Sequence, residues 1–174
     1  MKKLLVVVDY QNDFVDGSLG FHEAAALDKI IVKKIETYRN EGNDVVFTFD
    51  THDESYLNTQ EGRKLPVTHC KKGSFGWELF GETGQAKNDS LSFEKNTFGS
   101  ADLFDWLRKK PYDCVELCGL VINICVISNA VLAKTALPQA EIIVDATACA
   151  GPDNDIMQKT LDVLEGLQIT VFNR

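Results

Sequence analysis

Apolar residues in this chain come in short unbroken runs rather than in strict alternation. Leu4–Asp9, Asp44–Phe49, Leu91–Glu94, Cys114–Cys118, Glu141–Asp145 and Ile169–Phe172 are runs of this kind, rich in β-branched and aromatic residues. Strands covered on both faces show such a pattern, as in a parallel sheet sandwiched between helices. Between the runs the period changes to helical. In Glu23–Asn40 the residues Leu27, Ile30, Ile31, Ile35 and Tyr38 fall on one face, and Gly42 supplies a stop. Ser100–Lys109 opens on a capping-type Ser and closes before Pro111, Ile127–Leu137 reads as an apolar buried helix, and Asp153–Gly166 carries Ile156, Met157, Thr160, Leu161 and Leu164 at helical spacing. Strands alternating with helices predict an α/β fold, three-layer α/β/α, with a six-stranded, mostly parallel sheet of Rossmann-like topology. The 174 residues show no repeat and no linker, and read as one domain over 1–174. Thr51–Gln85 breaks the rhythm: it is long, polar and Gly-containing, the kind of irregular segment that tends to carry function.

Charge and cysteine usage narrow the partners. The formal net charge is -8 and no basic patch is visible, which argues against nucleic acid and anionic membrane. The first apolar run, ended by Asp9, is too short for a secretory core or a membrane span. Five scattered cysteines, at 70, 114, 118, 125 and 149, do not make a disulfide framework and fit a reducing cytoplasm.

Ligands of open parallel sheets bind beyond the carboxyl ends of the strands. On that rim the sequence places Asp9, Asp50, Lys95 and Cys125. Cys125 lies where the fourth strand hands over to a helix, and a helix N-terminus is expected to lower a thiol's pKa and favour the nucleophilic thiolate. Asp9 is positioned to take a thiol proton, although on its own it reads more readily as a turn carboxylate. Lys95 would stabilise a thiolate or an anionic intermediate, or simply be a solvated loop lysine. Asp50, His52 and His69, with Glu61 between them, form a donor set suited to Zn, Fe or Mn. By itself D-x-H is weak, and a structural His is the plain alternative. No G-x-G-x-x-G follows the first strand and no C-x-x-C exists, which speaks against a dinucleotide site and a redox pair.

Taken together these motifs resemble the isochorismatase-like cysteine hydrolases, and within them the nicotinamidase/pyrazinamidase branch. D-x-Q-x-x-F appears as Asp9, Gln11 and Phe14; D-x-H as Asp50 and His52; a stretched P-x-H-C block as Pro66, His69 and Cys70; Lys-x-x-aromatic as Lys95 and Phe98; and G-x-x-x-x-x-C-V as Gly119, Cys125 and Val126. The resemblance implies a metal-dependent amidase with a catalytic set of Asp9, Lys95 and Cys125 and a thioester intermediate. It implies an oxyanion hole from the backbone N–H groups of Val121 and Cys125, with a cis Leu120–Val121 peptide. It further implies substrate contacts from Phe14 and Gln11, one divalent ion on Asp50, His52, Glu61 and His69, a small amide as substrate, and possible homo-oligomers. The chain departs from the branch at Asn123, where an acidic residue is common, and at Leu65, where an aromatic is common. Another small-amide or carbamoyl hydrolase, or an inactive binding domain, are the alternatives.

Overall fold

The strands form where the apolar runs predict them, and all six pair in parallel. The computed structural model describes residues 1–174. Strands β1 (Lys3–Val8), β2 (Asp44–Asp50), β3 (Ser92–Lys95), β4 (Cys114–Gly119), β5 (Glu141–Cys149) and β6 (Thr170–Phe172) are ordered β3-β2-β1-β4-β5-β6. This is the doubly wound Rossmann order. The sheet is wholly rather than mostly parallel. β5 runs four residues past the expected end because the β4–β5 register shifts between Leu117 and Gly119, so the strand pairs again at Cys149.

Helices α1 (Asn12–Val15), α2 (Asp28–Asn40), α3 (Gln60–Lys64), α4 (Gly81–Ala86), α5 (Ala101–Leu107), α6 (Ile127–Ala136) and α7 (Asn154–Gly166) complete the chain. Right-handed crossovers place α2 and α4 on one face of the sheet and α5, α6 and α7 on the other. The long helix expected over Glu23–Asn40 is divided: Ala24–Leu27 is a 3-10 turn and the α-helix starts at Asp28. α6 buries Asn129, Ala130 and Ala133, while Val131 is exposed, so it is a one-sided helix rather than a fully buried one. The short α1, α3 and α4 lie in segments too brief or too polar for a periodic signal. No helix is long and apolar enough to cross a membrane.

One polar network lies inside the α2 face, away from the rim. Lys34 of α2 contacts Glu116 of β4 at 2.6 Å and Asp145 of β5 at 2.5 Å. Tyr38 donates to the other Glu116 oxygen at 2.6 Å. Asp145 also accepts from Thr147 N, Thr147 Oγ1 and Asn173 Nδ2. Burial works against the Asp145 carboxylate, yet the Lys34, Thr147 and Asn173 hydrogen bonds hold it below its usual value. Burial likewise opposes the Lys34 ammonium, and the two carboxylates raise it regardless. A depressed folded-state Asp contributes stability above its unfolded pKa and loses it as pH falls, here below about pH 4. The raised Lys34 contributes in full below its unfolded pKa and loses it only above about pH 10. Asp145→Asn is therefore expected to destabilise the fold at pH 7 by about 1–3 kcal/mol. Its deficit against wild type should shrink in denaturant titrations as pH drops below about 4, and a pH-independent deficit would refute this account.

Candidate functional site

The rim residues gather because the chain reverses direction in the sheet between β1 and β4. This is the switch point, where the carboxyl ends of adjacent strands diverge and leave a crevice. Gly119, at φ +116°, closes β4 against β1. A Cβ there would meet Val8 O at 2.1 Å, so only glycine lets the strands approach this closely. Asp9 follows β1 in a left-handed conformation, φ 46°, which a short acidic side chain tolerates better than most. The Leu120–Val121 peptide is cis, and a π-helical turn over Ile122–Val126 carries Cys125 into α6.

The structure brings Asp9, Lys95 and Cys125 together, all buried. Lys95 Nζ lies 2.6 Å from Asp9 Oδ2, 3.5 Å from Cys125 Sγ and 3.5 Å from Asp50 Oδ1. It also donates to Thr97 O at 3.0 Å. Asp9 Oδ1 accepts from Thr48 Oγ1 at 2.6 Å. Burial raises the Asp9 pKa against the pull of Lys95. Burial disfavours the Lys95 ammonium, but Asp9, Cys125 and Asp50 outweigh it, and the lysine stays charged.

Cys125 corrects the sequence expectation. Its thiol is pushed up, not down: burial acts first, and the Asp9 and Asp50 carboxylates oppose a third negative charge, with only Lys95 favouring it. The partial charge of one helix end is outweighed by full charges and desolvation. With the thiol and the neighbouring Asp9 carboxyl both raised, a proton can be held between these two groups.

Beside this set lies the second cluster. Asp50 ends β2, His52 follows it, and His69 returns from the irregular segment. Their ligand atoms all lie within 4.8 Å of one another. His52 Nε2 is 3.0 Å and His69 Nε2 3.2 Å from the same Asp50 oxygen. His69 Nδ1 donates to Val67 O at 2.7 Å, which fixes the tautomer and leaves Nε2 facing the cluster. Burial opposes protonation of His69, and its hydrogen bond to Asp50 raises its pKa nevertheless. Burial is also overcome at Asp50, where the two imidazoles lower the carboxyl. Glu61, on α3, comes within 3.9 Å of His52. Two imidazoles and one or two carboxylates converging on one point fit a divalent ion with open positions.

A cavity of about 250 Å³ opens onto both clusters. Asp50, Glu61, His69 and Cys125 line it, with Phe14, Val121, Leu65 and Phe98 among its apolar walls. Gln11 departs from its expected place. It is fully buried, and its side chain is spent on the β2 end: Nε2 donates to Asp50 O and Trp77 O, and Oε1 accepts from Asp50 N. It positions the metal-side strand rather than lining the cavity. Cys70, adjacent to His69, points away into the core.

Three residues of the site carried no recognised signal. Asn129 is buried within apolar α6, donates to Cys125 O and Phe98 O, and accepts from Ser100 N, tying the Cys125 turn to the segment after Lys95. A polar residue inside an otherwise apolar helix calls for such partners and marks itself on that ground. Asp13 accepts from Cys70 N at 2.7 Å and is packed so closely on Gly76 that a Cβ there would clash. Tyr56 packs against both imidazoles, tilted to His52 and edge-on to His69, with ring centroids 4.4 and 4.9 Å away.

Fold and site together define a three-layer α/β/α cysteine hydrolase. The isochorismatase domain matches residues 3–172, and the chain belongs to that family. It is 32% identical over 143 residues to an uncharacterized isochorismatase family protein, PncA, of Bacillus subtilis, covering 75% of this chain and 78% of that protein. The crystal structure of the nicotinamidase PncA from Bacillus subtilis superposes with a TM-score of 0.88 at 26% identity, over 99% of this chain and 100% of that one. A pyrazinamidase of Pyrococcus horikoshii, solved in complex with zinc, shares the fold at TM-score 0.87 and 23% identity, over the whole of both chains.

Proposed function

We propose that this chain is a metal-dependent amidase that hydrolyses nicotinamide and closely related heteroaromatic carboxamides to the acid and ammonia. One observation carries the reading: a small apolar cavity has Cys125 on its wall and the Asp50–His69–Glu61 edge beside it. An apolar slot with few polar groups suits a flat ring, and the polar groups fix its orientation. The wall contains no Lys or Arg, so a substrate that carries a carboxylate, such as an N-carbamoyl acid or isochorismate, would find no cationic side chain on it. The similarity to a nicotinamidase supports the same substrate class.

In this reading Cys125 Sγ attacks the amide carbonyl as Asp9 takes the thiol proton. The same proton passes from Asp9 to the departing ammonia, leaving a thioester on Cys125. Water, deprotonated by Asp9, then cleaves the thioester and restores the thiol. Lys95 holds Asp9 and offsets the negative charge that appears on sulfur. The Val121 and Cys125 N–H groups receive the developing oxyanion. Phe14 lines the ring's slot. The residues that would hold the ion are Asp50, His52, His69 and Glu61, and zinc is the ion we assign. When bound it supplies a Lewis acid for a ring nitrogen of the substrate. We place the reaction in a reducing cytoplasm, in keeping with five free cysteines.

Ammonia release from nicotinamide against benzamide tests the reading. Benzamide lacks the ring nitrogen and is expected to be turned over at least about tenfold more slowly, and the gap should close in His52→Ala together with loss of bound metal. Equal rates in the wild type would show that the metal side does not orient the ring.

A further inference from the structure

The cavity has a second polar feature that the reaction does not use. Asn123, two residues before the nucleophile, lines it from the first turn after β4. Side-chain hydrogen bonds near it go elsewhere: Ser128 donates to Ile124 O and Asn129 to Cys125 O, while the half-buried Asn123 amide makes none. A Cβ on Gly151 would lie 3.2 Å from Asn123 Oδ1, so this amide stands against the loop that follows β5. The metal-side residues Asp50 and His52 belong instead to the end of β2. In the sheet, β2 and β5 are separated by β1 and β4. The cavity therefore receives polar groups from two separate places, the end of β2 and the Asn123 turn against the loop after β5, with apolar residues over much of the rest.

We infer that Asn123 is a specificity residue whose amide N–H donates to the ring atom opposite the metal-held one, favouring 1,4-diazine carboxamides over pyridine carboxamides. The inference rests on the amidase reading above. With one ring nitrogen at the metal end, the para position of a pyridine carboxamide is a C–H, which accepts nothing. In pyrazinamide that position is a second nitrogen, with a lone pair aimed at the far wall. Asparagine offers this lone pair a donor; an aspartate would face it with another acceptor, and a leucine with nothing.

The test is the ratio of kcat/KM for pyrazinamide to that for nicotinamide in wild type, Asn123→Leu and Asn123→Asp. It is paired with the ratio of dissociation constants for the two amides, by calorimetry, in a Cys125→Ala background. Loss of one neutral hydrogen bond should lower both ratios about tenfold in Asn123→Leu, and further in Asn123→Asp. Thermal unfolding identifies a variant that fails to fold, and the other variant then decides. Unchanged ratios, with wild type active on both amides, would overturn this inference alone. A wild type inactive on both would overturn the amidase reading and this one with it.

Discussion

Cys125→Ala is expected to fold normally and to lose turnover by at least about a thousandfold, since a covalent route has no substitute atom once the sulfur is gone. All five cysteines are buried, so burial alone does not single this one out. What distinguishes Cys125 is the Lys95 ammonium 3.5 Å from its sulfur, a carboxylate partner in Asp9, and a place on the cavity wall. Cys118 and Cys149 sit in strands with thiols raised chiefly by burial, and Cys70 belongs to the core. Alanine at those positions should lower the unfolding midpoint while leaving a site that still reacts. Cys125→Ser is expected to be nearly as inactive as Cys125→Ala. Its hydroxyl is harder to ionise than a thiol already held high, and the neighbouring base is a carboxylate rather than an imidazole. Ammonia release, unfolding midpoints and mass mapping of an alkylated adduct give the three readouts. Activity near wild type in Cys125→Ala, or inactivation that follows another cysteine, would sink the mechanism.

The error over Cys125 shows where a sequence stops informing. Strand positions and the rim at their ends could be argued from apolar runs and their spacing, and they placed Asp9, Asp50, Lys95 and Cys125 at one edge. Depth and net field could not. The position of Cys125 at a helix start was legible, but its thiol is governed by burial in the folded chain and by the Asp9 and Asp50 carboxylates, 75 or more positions away in the sequence. Gln11 illustrates the same limit. Its place in a motif near the site was readable, while its role depends on the β2 end and on Trp77, which approach only in the folded chain. The short helices were missed for a local reason: four to six residues are too few to show a helical period. α2 began late because Ala24–Leu27 winds as a tighter turn, a distinction that apolar spacing does not encode. Asn129 was the readable omission, since a fully buried amide in an apolar helix has to be satisfied by something.

Replacing Asp9 and Lys95 one at a time should separate their roles. Asp9→Asn keeps the shape, removes the base and leaves Lys95 with Asp50 at 3.5 Å and Thr97 O at 3.0 Å. The fold should survive with a modest loss of stability, and kcat should fall by about 10²–10⁴, the usual worth of a positioned acid–base group. Lys95→Met is the more damaging change. It fills similar volume but strands the Asp9 carboxylate, which is fully buried and meets Lys95 as its one cationic neighbour at 2.6 Å. Breaking one side of a buried pair costs about 3–5 kcal/mol unless the remaining charge is neutralised. Asp9 should escape that cost by taking up a proton, which also removes it as a base. Lys95→Met is therefore expected to be both less stable and inactive at neutral pH. Pairing it with Asp9→Asn should restore part of the stability without restoring activity, because the double variant buries no lone charge at these two positions. Denaturant unfolding of the two single variants and the double variant gives the coupling energy. Additive stability losses would show that the 2.6 Å contact carries little of the site's electrostatic balance. Recovery of activity in the double variant would remove Asp9 from the proton path.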